Sequence, residues 1–515
     1  MLDSVQLLSL ETIKKGKQAI IFVSSRASAE KTAEDLAKLT NIRLIELSQD
    51  VLKAGSTPTK QCKRLSRCVD KGIAFHHAGL LQKQKDLIEN EFRSGKIKVI
   101  AATPTLAAGL SLPAYRVIIK SLKRYSGRWG MDWIPVLEYL QMAGRAGRPE
   151  YESFGEAITI AKDEAEKEEI HERYVLGEPE EIYSKLAVEP VLRTYLLSLI
   201  SSGIIRDEKN MKEFFSKTFW ASQFKDFKKL ELIMDKMLDL LEGWGFVTIS
   251  GAERIQDDFV IAANLNKNNQ EIRKLKPTLV GKRVSELYLD PLTARHLLDG
   301  LNKFDSEKNL FSLLQMISHT LEMRPLLRVK SKEQEKIQEE LVKNYDSLLE
   351  EEPSAFDLEY NEFLNSIKTT LFFDAWINEK DEDYLMENYD VRPGEIRVKL
   401  EIADWLLYSC EELSKASQLS RELSKELNKL RIRVKNGAKE ELLPLLKLKN
   451  VGRVRARKMV NNGLRDLGDL KKVHPITLAQ IIGRATAMSV KEQLGEKIKE
   501  IPKGKRKGQL SLEKY

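Results

Sequence analysis

Between Gln141 and Pro149 the chain reads QMAGRAGRP, two arginines three residues apart, opened by a glutamine and loosened by Gly144 and Gly147. Glycine lets backbone turn tightly or lie against a ligand. Arginine grips phosphate bidentately and keeps its charge. The chemistry this spacing offers is phosphate recognition. A second basic cluster lies in LLPLLKLKNVGRVRARKMVNNGL, with Gly452, Arg453, Arg455, Arg457 and Lys458. This reads as a helix-hairpin-helix, in which the hairpin glycine permits a tight turn and the next helix offers free N–H groups to a phosphate. A third stretch, PGEIRVKLEIADWLLYSCEEL from Pro393, runs as one helix, and Val398, Glu401, Trp405, Tyr408 and Glu412 share a face.

These groups need elements to position them. QAIIFV at 18–23 is a short apolar run feeding SSRASAEKTAEDLAKL, a helix pattern, and the alternation returns in KIKVIAATPTLAAGLSLP, YRVIIKSL and GEAITIA. Buried strands alternating with helices predict a parallel α/β sheet covered on both faces over residues 1–160. Ligands of such sheets sit at the carboxyl ends of the strands. Ser25 and Arg26, Thr103 to Gly109, and Gln141 to Arg148 are expected to converge there.

Length and composition frame the rest. At 515 residues the chain is too long for one core and suggests roughly three to five domains. No run of eighteen apolar residues and no leader pattern occurs, so a soluble cytoplasmic protein without membrane partners is expected. Three cysteines, Cys62, Cys68 and Cys410, fit neither a zinc knuckle nor a disulfide scaffold, and reduced thiols without metal are expected. Residues 421–515 hold 25 Lys and Arg against 10 Asp and Glu, a net +15, which leaves −7 for residues 1–420 within the total of +8. Such asymmetry accompanies nucleic-acid partners or a solvated basic tail.

The series IFVSSRASAE, AFHHAGL, VIAATPTLAAGLSLPA and QMAGRAGRP, in this order, resembles motifs IV, IVa, V and VI of the second RecA-like lobe of a superfamily-two helicase. The resemblance implies that Arg148 is the arginine finger toward the γ-phosphate of ATP, supported by Arg145. It implies that Gln141 positions the nucleotide or attacking water, that Gly144, Gly147 and Gly109 are close-approach backbone, and that Arg26 and Thr103 contact the nucleic-acid backbone. His76 and His77 are read as either packing or DNA-contacting. A G-x-x-x-x-G-K-[ST] phosphate loop is absent from the 515 residues: Gly16-Lys17, Gly95-Lys96, Gly281-Lys282 and Gly504-Lys505 are followed by Gln, Ile, Arg and Arg. The expectation is therefore that ATP and Mg²⁺ are held mainly by a first lobe supplied by a separate chain or an upstream segment, and that this chain alone does not turn over ATP.

From end to end the chain resembles the archaeal Hjm/Hel DNA helicases of the Ski-like branch. The fold class this implies is multidomain, an α/β RecA-like lobe followed by a winged helix, an all-α ratchet-type bundle and a helix-hairpin-helix domain. The expected bounds are 1–160, 180–265, 266–430 and 431–500, with a basic tail at 501–515. SLKRYSGRWGMDWIPVLEYL is expected to form a β-hairpin with Trp129 at its tip, placed to part duplex. On the ratchet helix Trp405 fits the role of stacking on a base. The family's basic position is occupied by Val398, so Arg397 or Lys399 is expected to substitute. The tail's Gln509, Leu512 and Tyr515 resemble a sliding-clamp-binding peptide, although one aromatic stands where two are usual. The expected function is the C-terminal part of a 3′-to-5′ helicase acting on single-stranded and forked DNA in fork repair and recombination. The alternatives are a non-catalytic DNA- or clamp-binding scaffold and an RNA helicase of the same branch.

Overall fold

The computed structural model describes residues 2–55, 58–107, 112–125, 131–147, 154–251, 273–305 and 309–496. It divides into two compact units, Met1–Ile182 with Glu382–Val398, and Tyr183–Asp381 with Lys399–Tyr515.

The first unit is built on β1 (Ala19–Phe22), β2 (Ile73–His76), β3 (Val99–Ala102), β4 (Arg116–Ile119) and β7 (Glu156–Thr159), all parallel, in the order β2-β3-β1-β4-β7. Every residue of β1, β2, β3 and β4 is buried. That is why these segments read as unbroken apolar runs rather than as alternating ones. A short antiparallel hairpin, β5 (Lys123–Tyr125) with β6 (Met131–Trp133), stands between β4 and the motif VI segment.

Helices α1 (Ser4–Lys14), α2 (Arg26–Ala37), α3 (Ile45–Lys53), α4 (Lys60–Asp70), α5 (Gln82–Arg93), α6 (Val136–Ala143) and α7 (Glu164–Ile170) complete the unit's main elements. Side-chain caps start several of them: Asp3 for α1, Ser25 for α2, Thr59 for α4 and Asp163 for α7. Each satisfies a backbone N–H that the helix leaves open. The unit continues past the expected limit at 160, because Ile170 and Tyr174 join its core and the Tyr174 hydroxyl donates to the Ile134 carbonyl at 2.6 Å.

In the second unit, helices Glu189–Ser201, Glu208–Ser216 and Phe227–Gly243 accompany a hairpin of β8 (Val247–Ser250) and β9 (Lys274–Pro277). The returning strand pairs Val247 with Pro277, so the expected boundary at 265 falls inside the hairpin connection. A helical block follows, in which Phe311, Ile337, Leu341 and Phe363 share a core. A separate small core of Ala438, Leu442, Leu445, Met459, Leu470 and Val490 organises the last helices. The 24-residue helix Pro393–Ala416 contributes its first six residues to the first unit and the others to the second. No helix among the described residues is long and apolar enough to cross a membrane. The three cysteines are free and buried, and burial pushes the Cys68 thiol up to about 12.

Candidate functional site

The strand order fixes where a ligand can lie. The chain leaves β1 toward β2 on one side, and leaves β3 over β1 toward β4 on the other, so the crevice between the carboxyl ends of β1 and β3 is a topological switch point. A cavity of about 430 Å³ opens there. It is walled by Val23 and Ser24 after β1, Pro104 and Thr105 after β3, and Leu137 and Gln141 of α6. Motifs IV, V and VI, far apart in the chain, meet at this one place.

The cavity's polar groups are the hydroxyls of Ser24, Thr105 and Ser121, the amide of Gln141 and the charged side chains of Lys123, Arg124 and Glu138. Thr103 and Thr105 share a hydrogen bond of 2.9 Å, and the Gln141 side chain is exposed. The cations at its rim are engaged: Arg124 pairs with Glu138 at 3.0 Å, and Lys123 lies 3.1 Å from Glu166 and 3.9 Å above the Trp133 ring. Such a set can hydrogen-bond a sugar–phosphate backbone.

Motif VI is held as a strap. The Ala114 N–H donates to the Arg145 carbonyl at 2.9 Å, and the Gly147 N–H donates to the Ala114 carbonyl at 2.7 Å. Gly147 has φ +93°, a conformation glycine adopts without strain. A Cβ on Gly155 would stand 2.1 Å from the Gly147 nitrogen, so this crossing tolerates no side chain there. Arg145 is half-buried, and its guanidinium donates to the Ala107 carbonyl, tying motif VI to the segment after Thr103. At the start of α6 the Glu180 carboxylate accepts from the Val136 and Leu137 N–H groups at 2.6 and 3.1 Å, which holds its pKa below the usual range. Sequence reasoning missed Glu180, because nothing in GEPEE marks one glutamate as a cap forty residues away. Arg148, Gly109 and Trp129 lie outside the described residues, as do Gln509, Leu512 and Tyr515.

Several expected contact residues are already engaged or buried. Arg26 pairs with Glu395 rather than standing free at the carboxyl ends. His76 and His77 are both buried, which resolves their reading toward packing. The His77 Nδ1 accepts from the Gly79 N–H at 3.1 Å, and its Nε2 faces Glu30 at 3.3 Å. Burial lowers the His76 pKa to about 4, helped by Lys85 and His77, so desolvation outweighs the Glu89 carboxylate 3.0 Å away.

On helix Pro393–Ala416, Trp405 is half-buried and its indole N–H donates to the Leu287 carbonyl at 3.1 Å. Part of the ring remains accessible for stacking. Lys399, one of the two expected substitutes, is buried with Nζ on the Pro325 carbonyl at 2.8 Å, so it cannot reach a phosphate. Arg397 is exposed.

At the hairpin segment, Gly452 is extended with φ −95°, and a Cβ there meets nothing within 4 Å. The left-handed residue of the turn is Asn450, φ +66°, which corrects the expected role of the glycine. Arg453 stacks over Trp376 at 4.4 Å, and Arg457 is gripped by Glu379 at 2.5 and 2.8 Å and by Glu441 at 2.7 Å. These two hold the helix against its own unit. Arg455 and Lys458 are the exposed cations of the helix.

Two family profiles match the chain, "Helicase conserved C-terminal domain" over residues 3–150 and "Archaeal helicase, domain 4" over residues 311–437. Among curated relatives, the ATP-dependent DNA helicase Hel308 of Pyrococcus horikoshii is 37% identical over 99% of this chain and 68% of its own length. The protein of the same name from Methanocella arvoryzae is 36% identical over 97% and 66%, and that of Pyrococcus abyssi 37% over 99% and 68%. The chain thus spans about two thirds of the length of these relatives. Aligned over almost its whole length, with motifs IV to VI gathered at one switch point, the chain belongs to the Hel308 family of ATP-dependent DNA helicases.

Proposed function

We propose that this chain is the part of a 3′-to-5′ helicase that grips DNA and completes a nucleotide site from one side, working on forked or branched DNA in fork repair and recombination. The observation that carries the proposal is the meeting of Ser24, Thr105 and Gln141 at one cavity of the switch point. A strand lying there takes hydrogen bonds from the hydroxyls of Thr103 and Thr105, which position a backbone without reading bases. Trp405 supplies a stacking face, worth about 1–3 kcal/mol per base in proteins that hold single strands. Trp129, in the SGRWG segment of the sequence between β5 and β6, is assigned to the point where duplex parts. Gly452 and Arg455 add backbone contacts at the last helices.

ATP, bound with Mg²⁺, supplies the free energy for movement along the strand. These 515 residues fit only part of that nucleotide: exposed Gln141, the Gly144 and Gly147 backbone and the motif VI arginine Arg148 are present, and a phosphate loop is not. The proposal therefore assigns the phosphates and Mg²⁺ to a first RecA-like lobe outside this sequence. Gln509, Leu512 and Tyr515 are assigned to a sliding clamp, which loss of clamp binding in the Tyr515→Ala variant would test.

The site reading is tested by fluorescence anisotropy on matched single strands of DNA and RNA, with the double variant Thr103→Val, Thr105→Val. Preference for DNA and a loss of about tenfold or more in the variant, two hydrogen bonds at the modest net value usual for such bonds, are expected. Equal affinity for RNA favours the RNA-directed alternative, and an unchanged variant contradicts the cavity as the strand's path.

A further inference from the structure

A second basic site lies on the outer helices of the first unit, away from the cavity at the switch point. Helix α4 buries Cys62, Leu65, Cys68 and Val69 against the unit and turns Lys60, Lys63, Arg64 and Arg67 outward or to the rim, with Lys71 just past its end. Two of these cations are committed: Lys60 to Glu387, and Arg64 to Glu30 and Glu34. Lys63, Arg67 and Lys71 meet no carboxylate among the described residues, and Arg67 only caps the Lys63 carbonyl at 3.3 Å. Lys63 and Arg67 stand four residues apart on the helix, about 6 Å of rise, and Lys71 continues the row from the cap position just past its end.

Beside the row opens a cavity of about 750 Å³ between α2, α3 and α4. Its rim adds Lys38 and Arg43, whose side chains are 73% and 66% exposed although they touch Asp35 at 2.8 Å and Asp70 at 2.7 Å. The acids of the lining, Glu34 and Asp70, are both already paired with arginine. Lys71 stands two residues before β2, and Lys38 closes α2, so this site is at the amino ends of the strands. A strand in the switch-point cavity, at the carboxyl ends, leaves it open.

We propose that Lys63, Arg67 and Lys71, with the rim of this cavity, bind the phosphate backbone of a duplex arm of the DNA substrate. A row of cations with no carboxylate partner among the described residues suits a line of phosphates, and each one that neutralises a phosphate releases counterions. The lining contains no aromatic residue on which an unpaired base could stack, which separates it from a single-strand site. It offers no paired amide donors and acceptors for base edges, so the contact is independent of sequence. The inference rests on the DNA-directed reading above only for the identity of its ligand.

The test measures binding of the full chain to a blunt duplex, a fork and a single strand across a salt series, for the native protein and for Lys63→Ala, Arg67→Ala, Lys71→Ala combined. On duplex and fork the triple variant is expected to bind more weakly, with the slope of log affinity against log salt shallower by about 2.7, three contacts at about 0.9 each. Single-strand binding is expected to stay unchanged, and Arg67→Lys alone is expected to keep the native slope. Unchanged duplex slopes overturn the inference, as does an equal loss on the single strand. A melting temperature matching the native protein's excludes misfolding, and a native chain that binds none of the three probes contradicts the DNA reading itself rather than this site.

Discussion

His76 shows how little a motif letter says about a side chain's work. In the sequence it sits in AFHHAGL beside residues that could touch DNA; in the fold it is buried beside Glu89 and held neutral. The sign of its pH effect follows. Its folded pKa, about 4, lies below the ordinary 6.5, so protonation favours the unfolded chain. Its contribution is whole above pH 6.5 and is lost as pH falls from 6.5 toward 4. Urea midpoints measured across that window should drop for the native protein, and His76→Gln should flatten the drop. The arginines of the last helices divide in the same manner. Arg457→Ala, which frees Glu379 and Glu441, should lower the melting temperature with little change in DNA affinity. Arg455→Ala should leave melting unchanged and make the salt dependence of DNA binding shallower by about 0.9. Equal melting losses in both variants would contradict this division. The cluster RVRAR announced its charge in sequence; which arginine faces a glutamate seventy-eight residues earlier in the chain was set by packing and was not legible there.

Strands β1, β3 and β4 were legible because burial on both faces writes an apolar run, and the β5–β6 hairpin because SGRWG separates two short segments; β2, whose IAFH ends on a histidine, was not among the expected strands. Close approaches between distant loops were not legible, since a glycine that meets a backbone looks like any other. Gly394 is such a case. Its N–H donates to the Gly79 carbonyl at 3.0 Å, and a Cβ there would come 2.4 Å from the Ala78 and Leu80 carbonyl oxygens. Arg392 with Glu30 at 3.7 Å and Arg26 with Glu395 flank the contact. Thus the start of helix Pro393–Ala416 belongs physically to the α/β unit, more than two hundred residues earlier in sequence. Gly394→Ala should cost about 1–3 kcal/mol in denaturant unfolding, as other overpacked sites do. A midpoint within error of the native value would show that the loop at Gly79 yields freely. The hairpin β8–β9 teaches the complementary lesson: its first strand was expected, but its return at Lys274–Pro277 lay beyond the turn at Gly251 that suggested an earlier close.

Charge and motif order describe the whole molecule better than any single site. A net +15 over residues 421–515 against −7 before it concentrates general attraction for phosphate at the end of the chain, while motifs IV to VI and the α4 cations lie in residues 1–160, which are themselves basic, with 25 Lys and Arg against 16 Asp and Glu. The account proposed for this member of the Hel308 family is that DNA is held at several points and nucleotide is completed from one side. Its central claim is that these 515 residues carry the motif VI side of an ATP site and no phosphate cradle. The measurement that tests it most directly is ATP hydrolysis by this chain on forked DNA, with binding of the same fork followed by anisotropy and Arg148→Ala as the comparison. Tight binding without turnover, identical in the two proteins, is the predicted result. Turnover by the chain alone that disappears in Arg148→Ala would contradict it.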